Sequence, residues 1–325
     1  MVSCLEERGQ DGTGILQRRG IDREQIRHPD AVLRPEQVGT LIRELMALDT
    51  QANLALLAGT RIHPGTLGLL GMAMSLSDTE AEALALCARF YEFVSLSVAM
   101  RIEPVGEWYA LTWVPVRALP HDLLRVAFEM TIGAMHTRLT QGQATRQLNA
   151  DIYLSYAAPP HESTYQKTCP ARYHFGQGGL PHLRFEVPRS LLDRRQPTAH
   201  ADQLRGLLPQ LALQAASQKG PRQWREWTVM MLQEALGSWP SQEDIAAIRG
   251  LSASTLGRNL AREGTSFRQL SNQVRMARAQ AMLLDGRWSV EHIAEQLGYA
   301  HTTNFVRAFR KECGCPPLQF SRRHP

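Results

Sequence analysis

Apolar residues at the start of the chain fall at helical spacing. Over residues 35–93, Val38, Leu41, Ile42, Leu45 and Met46 recur every three or four positions and form one apolar face. Leu84, Cys87, Ala88 and Tyr91 form a second stripe, and His63-Pro64-Gly65 interrupts the pattern between them. From Ser95 the period shortens to two. Val98, Met100 and Ile102 alternate with polar or small residues, as do Tyr109, Leu111 and Trp113. With Pro104-Val105-Gly106-Glu107 between them as the turn, this predicts a β-hairpin. Helical spacing returns over 121–139. Three strand-like pieces follow at 151–157, 172–175 and 182–187, and then a helix at 201–216. Residues 1–217 therefore read as one α+β domain.

The polar breaker Ser217-Gln218-Lys219-Gly220-Pro221 starts a linker placed at 218–223. Residues 224–325 read as an all-α domain of short helices punctuated by glycine. This part contains an internal echo. The stretch 241–250 returns as 289–298 with five identical positions, a Ser, Glu, Ile, Ala and Gly in the same places. Leu256, Arg258 and Leu260 then answer to Phe305, Arg307 and Phe309 at an offset of 49.

Each half of the echo reads as a helix-turn-helix unit, one over 241–262 and the other over 289–311. Ser241 and Ser289 are natural N-caps, and Glu243 and Glu291 sit in the favourable first turn. Gly250 and Gly298 suit the φ > 0 position that ends a helix. The second helices turn Leu256 and Leu260, or Phe305 and Phe309, inward. Their outer faces carry Ser254, Thr255, Arg258 and Asn259 in one unit and Thr302, Thr303, Asn304 and Arg307 in the other. Such side chains reach base edges and phosphates in a major groove. The helical pattern between the units, from Ser266 to Leu284, has Phe267, Leu270, Val274, Ala277, Ala281 and Leu284 as its inner stripe. At that length it spans about 27 Å, near the ~34 Å of one duplex turn, so the arrangement is two helix-turn-helix units joined by a long helix. One chain could then read successive grooves.

Charge strengthens this reading. The 325-residue chain has a net charge of +5. Residues 1–220 hold 22 basic and 22 acidic side chains, whereas 221–325 hold 14 and 9, so the whole excess lies in the last third. Thirteen of those 14 are arginine, the better bidentate ligand for phosphate and guanine. A GC-rich coding bias also favours arginine, so the asymmetry alone does not decide. With 43% hydrophobic and 21% charged residues, general disorder is excluded. The longest strongly apolar run, 67–76, falls short of the ~18 residues of a membrane span. No secretory signal opens the chain, and five scattered cysteines suit a reducing compartment. The expectation is a cytoplasmic protein that does not engage membrane.

The C-terminal segments 256–267, 281–284, 293–299, 305–311 and 314–320 together resemble the DNA-binding domain of the AraC/XylS transcription regulators. Gly20-Ile21-Asp22, 64–71 and 183–193 resemble, in order, the arabinose-binding class of sensor domain in that family. The resemblance implies a bacterial regulator, and it implies an activator working beside RNA polymerase on double-stranded promoter DNA. It also implies a small-molecule effector, which need not be arabinose. It leaves a homodimer open. Gly257 departs from the family by standing where a larger DNA-contacting side chain is usual, and the family's opening helix is shortened before Gly12.

Other chemistry is thin. Arg61 and His63 precede a Pro-Gly turn and could meet an anionic effector, or simply sit in a solvated loop. Tyr91, Trp108, Tyr109 and Trp113 could line a pocket or pack a core. Cys313-Gly314-Cys315 has poor metal spacing and no second ligand pair, so no metal or other cofactor is expected. Cys169-Pro170 is the one nucleophile candidate. The competing reading is a DNA-repair alkyltransferase fused to such a regulator, but the Pro-Cys-His-Arg sequence of those enzymes is absent. No enzyme activity is expected.

Overall fold

The computed structural model describes residues 1–23, 35–95, 97–141, 143–217 and 223–323. In the N-terminal region the period-two segments become strands. They are β1 (Val98–Val105), β2 (Trp108–Pro115), β3 (Asp151–Leu154), β4 (Arg172–His174) and β5 (Leu183–Pro188), in the order β1-β2-β5-β3-β4. All neighbours are antiparallel except β3 and β4. The hairpin is tighter than expected. Val105 pairs with Trp108, so Gly106 and Glu107 alone make the turn, with Gly106 at φ +56°. Pro104 lies within β1. Its missing N–H is tolerated because β1 is the edge strand. β3 stops three residues short of the predicted end, ahead of Pro159-Pro160.

Leu111, Trp113, Ile152, Leu154, Leu183, Phe185 and Val187 alternate along their strands and are buried. The helices of this region are α1 (Val2–Glu6), α2 (Gly12–Arg18), α3 (Pro35–Ala47), α4 (Leu54–Gly59), α5 (Gly68–Leu76), α6 (Glu80–Arg89), α7 (His121–Thr140), α8 (Ser163–Thr168), α9 (Arg189–Leu192) and α10 (Ala201–Ser217), and α4 to α10 contribute residues to the sheet core. The first four pack around Leu5, Ile15, Leu16, Leu45 and Leu54. The long α7 packs Phe128, Ile132 and Leu139 into the sheet core. It crosses α4 backbone to backbone: a Cβ on Gly133 would stand 2.1 Å from the Leu56 carbonyl oxygen.

The break expected at 218–223 lies, but for its last residue, outside the described residues. Beyond it come α11 (Trp224–Glu234), α12 (Gln242–Ile248), α13 (Ala253–Arg262), α14 (Phe267–Asp285), α15 (Val290–Gln296), α16 (Thr302–Cys313) and α17 (Pro317–Arg323). Two cores form here. Trp227, Ile245, Leu256, Leu260, Leu270 and Val274 make one, and Met276, Ala279, Leu283, Ile293, Phe305 and Phe309 make the other.

The predicted stripe of α14 holds only in its first half. Leu270 and Val274 are buried, but Ala277 and Ala281 are exposed and Leu284 is 51% exposed. At 3.6 residues per turn, Met276, Ala279 and Leu283 lie on roughly the opposite side from Leu270 and Val274. The two cores therefore sit on opposite faces of one helix, and a single stripe cannot describe both.

Candidate nucleic-acid interface and ligand cavity

The two helix-turn-helix units are built by the same local chemistry. The Ser241 Oγ accepts from the Asp244 N–H at 3.1 Å, and Ser289 Oγ accepts from His292 N–H at the same distance. Both first helices end in a Schellman motif. Leu251 N–H reaches the Ala246 carbonyl at 3.0 Å across Gly250, and Tyr299 N–H reaches the Ala294 carbonyl at 2.9 Å across Gly298. The glycines take φ of +64° and +72°, as their positions predicted.

The second helices, α13 and α16, present the expected polar faces. Ser254, Arg258, Thr303, Asn304 and Arg307 are exposed, while Thr255, Asn259 and Thr302 are half-buried. Each arginine reaches back one turn. Arg258 Nη2 lies 3.4 Å from Thr255 Oγ1, and Arg307 Nη2 donates to Asn304 Oδ1 at 3.3 Å. Thr255 and Asn304 are themselves 49 apart, so the echo extends to side-chain contacts. Among the described residues, neither guanidinium stands within salt-bridge distance of a carboxylate. Gly257 has a packing role. A Cβ there would come 3.0 Å from Gln242 Nε2, which donates to the Ala253 carbonyl and ties α12 to α13.

Not all of the arginine excess faces outward. Arg249 lies 4.5 Å from the ring centres of both Trp224 and Trp227. Arg275 is placed over Trp239 and Tyr299. Arg278 is placed over Trp239 and donates to the Gln233 and Ala235 carbonyls. Burial holds Arg275 and Arg278 below the ordinary arginine range. These three cations brace the domain, which charge counting could not distinguish from a duplex-binding face.

In the α+β domain, α5, α6, α7 and β1 enclose a cavity of about 220 Å³. Met74, Leu84, Tyr91, Val98, Met100 and Met135 line its buried part, and the exposed His63 and Gln141 stand at its edge. Two of the six candidate effector residues, His63 and Tyr91, thus meet at one site. Trp113 is buried in the core, and its side chain approaches the Tyr91 hydroxyl together with Thr131. Burial raises the Tyr91 phenol well above its usual value. Arg61 instead pairs with Glu7 on the surface, and Tyr109 donates to Asp193 at 2.9 Å beneath Arg189. Trp108 is 38% exposed at the hairpin end. The methionines and alanines of the cavity carried no sequence signal, because they follow the ordinary core period.

Contacts that no sequence pattern indicated join the two domains. The Arg101 guanidinium on β1 donates to the Ala247 and Ile248 carbonyls, at 3.0 and 2.6 Å, at the C-terminal end of α12. The fully buried Trp227 donates to the Pro115 carbonyl at 2.9 Å. His121 Nδ1 meets Glu234 at 2.6 Å, and Leu236 forms a bridge with Gly179.

Cys169 is fully buried, and its thiol is pushed up to about 12 by that burial. Such a thiol stays protonated at neutral pH, so it lacks the thiolate that nucleophilic attack requires. Cys315 is buried, and Cys313 Sγ accepts from Gln280 Nε2 at 3.2 Å. No described helix is long and apolar enough to cross a membrane.

Residues 9–196 match the family model of the arabinose-binding domain of AraC transcription regulators, and residues 245–323 match a helix-turn-helix domain model. An uncharacterised helix-turn-helix transcriptional regulator of Mycobacterium tuberculosis is 26% identical over 338 residues, covering 99% of this chain and 94% of the relative. The ornithine utilization regulator of Pseudomonas aeruginosa is 23% identical over 336 residues, covering 98% and 93%. Among solved structures, the transcriptional regulator CdpR from Pseudomonas aeruginosa covers 96% of both chains at 20% identity and a TM-score of 0.45.

Proposed function

We propose, on the premise that this chain belongs to the AraC family of transcriptional regulators, that it is an effector-responsive activator of transcription. In this reading α13 and α16 enter adjacent major grooves of promoter DNA. Arg258 and Arg307 contact bases, and Ser254, Thr255, Asn259, Thr302, Thr303 and Asn304 complete the two contact faces. RNA polymerase is the partner on the DNA, with a second copy of the chain as a further one. The effector occupies the cavity bordered by His63 and Tyr91.

One observation carries the coupling between the two activities. β1 alternates its side chains, so Val98 and Met100 line the cavity while the neighbouring Arg101 grips α12. The last carbonyls of a helix lack partners within it and carry partial negative charge, so a guanidinium there is well placed. An occupant that displaces Met100 also displaces the strand that holds the first helix-turn-helix unit. Binding then favours one arrangement of the two domains over the other, as effector control requires.

The test compares Arg101→Ala with the parent chain on duplexes selected from genomic DNA, using fluorescence anisotropy with and without a cavity ligand. The expected result is that the parent's promoter affinity changes with the ligand and that of Arg101→Ala does not. An unchanged ligand response in Arg101→Ala overturns the coupling route. Failure of the parent to select any duplex overturns the DNA reading.

A further inference from the structure

We infer that the cavity between α6, α7 and β1 takes a neutral amphiphile with a hydrocarbon body of about nine heavy atoms, and not a sugar. This rests on the reading of that cavity as the effector site and specifies the chemistry of its occupant.

Size comes first. An engineered apolar cavity of about 150 Å³ holds benzene. In proportion, 220 Å³ holds about nine heavy atoms. The lining comes second. Met74, Met100, Met130 and Met135 supply four flexible thioether walls, and Leu67, Leu84, Val94 and Val98 supply most of the rest. Methionine conforms to apolar bodies of varied outline.

Most polar groups in the wall are already engaged within the protein. Thr131 donates to the Ala127 carbonyl at 2.8 Å, and Thr137 to the Thr60 carbonyl at 3.2 Å. Ser95 Oγ accepts from the Ser97 and Val98 N–H groups, both at 3.2 Å. The Tyr91 hydroxyl stands close to Thr131 and to the Trp113 indole, whose buried Nε1 makes no hydrogen bond among the described residues, so this corner offers a single spare donor. A pentose entering here would surrender water at each hydroxyl and find few partners, which is unfavourable for every group left unpaired.

The charge on the wall is occupied as well. Arg138 lines the cavity, but both its Nε and Nη2 donate to Glu80, and the two side chains are mostly buried together. The Glu80 carboxylate neutralises that guanidinium, so an ionised head meets no net positive charge there. A neutral head needs only the edge of the cavity, where His63 and Gln141 are exposed beside water. Apolar body inside and a single neutral polar end at the opening is the arrangement this wall accommodates.

Isothermal calorimetry and thermal shift on the full chain test the assignment with 1-octanol, octanoate and L-arabinose. Ligand that binds only the folded state raises the melting temperature. The expected result is saturable binding of 1-octanol, octanoate at least tenfold weaker, and no heat from arabinose. Filling the space with Ala134→Phe, or with the milder Ala127→Leu should the first variant not fold, abolishes 1-octanol binding. Glu80→Gln frees Arg138 and brings octanoate within a fewfold of 1-octanol. Arabinose binding that disappears in the filled variants overturns the ligand class and leaves the cavity as the effector site. Binding of 1-octanol that survives both fillings overturns the site along with the class. Equal binding of octanoate and 1-octanol by the parent chain overturns the neutral head. The effector reading is judged separately, by whether 1-octanol changes promoter affinity.

Discussion

The two helix-turn-helix units share a sequence plan but not a set of neighbours. Capping serine, Schellman glycine, inward pair and outward arginine are repeated from one to the other. Yet the core of the first unit includes Ala118 and Leu180 of the α+β domain, and Arg101 and Pro115 bind α12 and Trp227 directly. The core of the second unit is made within the C-terminal domain, from α14 to α17 and Trp239, and is closed by Phe320 on Phe309. One unit is thus packed against the sensor, and the other only against the rest of the C-terminal domain. Local sequence builds a unit, whereas the surface it rests on decides whether it answers to a signal.

The largest test of this contrast removes an anchor from each unit. Trp227→Ala and Phe305→Ala should each cost about 3–5 kcal/mol in urea unfolding, since both side chains are fully buried. Hydrogen exchange separates them. Trp227→Ala should speed exchange in β2 as well as in α12 and α13, and Phe305→Ala in α14 to α17 but not in the sheet. Spread of the Phe305→Ala effect into β1 and β2 would break the contrast.

On DNA the two units should behave alike. Arg258→Ala and Arg307→Ala should each weaken promoter binding by about 1–3 kcal/mol at fixed salt and relax specificity at one position. Loss from neither would remove both helices from the grooves.

The matched glycines sharpen the comparison. Gly250→Ala should cost about 1–2 kcal/mol for a left-handed residue with a side chain, as nothing crowds its Cβ. Gly298→Ala should lose more in thermal unfolding, because its Cβ would come 2.7 Å from Trp239 Cβ.

The smallest effect is on acidification. Ser241 carries a reciprocal capping box, in which Asp244 Oδ2 accepts from the Ser241 N–H at 2.8 Å. Hydrogen bonds from the Ser241 backbone and side chain hold the Asp244 carboxyl below its ordinary value of 3.8. A depressed carboxyl contributes stability that is present above the ordinary value and lost as pH falls through the folded one. The second unit has His292 at the equivalent position. The amide resonance of Ser241 should therefore shift below about pH 4 and that of Ser289 should not. Equal shifts would contradict this.

Much of the reader was visible along the chain. Caps, C-terminal glycines and inward pairs all act within a few residues, so Ser241, Gly250, Leu256 and their partners announce themselves. The hairpin was visible for the same reason, apart from Pro104, which periodicity could not place on a sheet edge. The second half of α14 was not legible. Met276, Ala279 and Leu283 are buried by a core on the side opposite Leu270 and Val274, and a one-face pattern averages the two. Of the candidate effector residues, His63 and Tyr91 converge, while Arg61 and Tyr109 find surface partners in Glu7 and Asp193.

The sequence by itself determined the elements and the tandem reader, because helix ends, turns and alternation are set by short-range sterics and hydrogen bonding. It also determined that the net positive charge belongs to the last third. Tertiary structure alone decided which arginines remain outside, with Arg249, Arg275 and Arg278 stacked on tryptophan. It decided, too, that residues from Ile62 to Gln141 enclose one cavity, and that Arg101 spans 146 positions to hold α12. Those outcomes depend on which buried faces meet. Hydrophobic burial is non-directional, so a pattern records that a face is covered without recording by what.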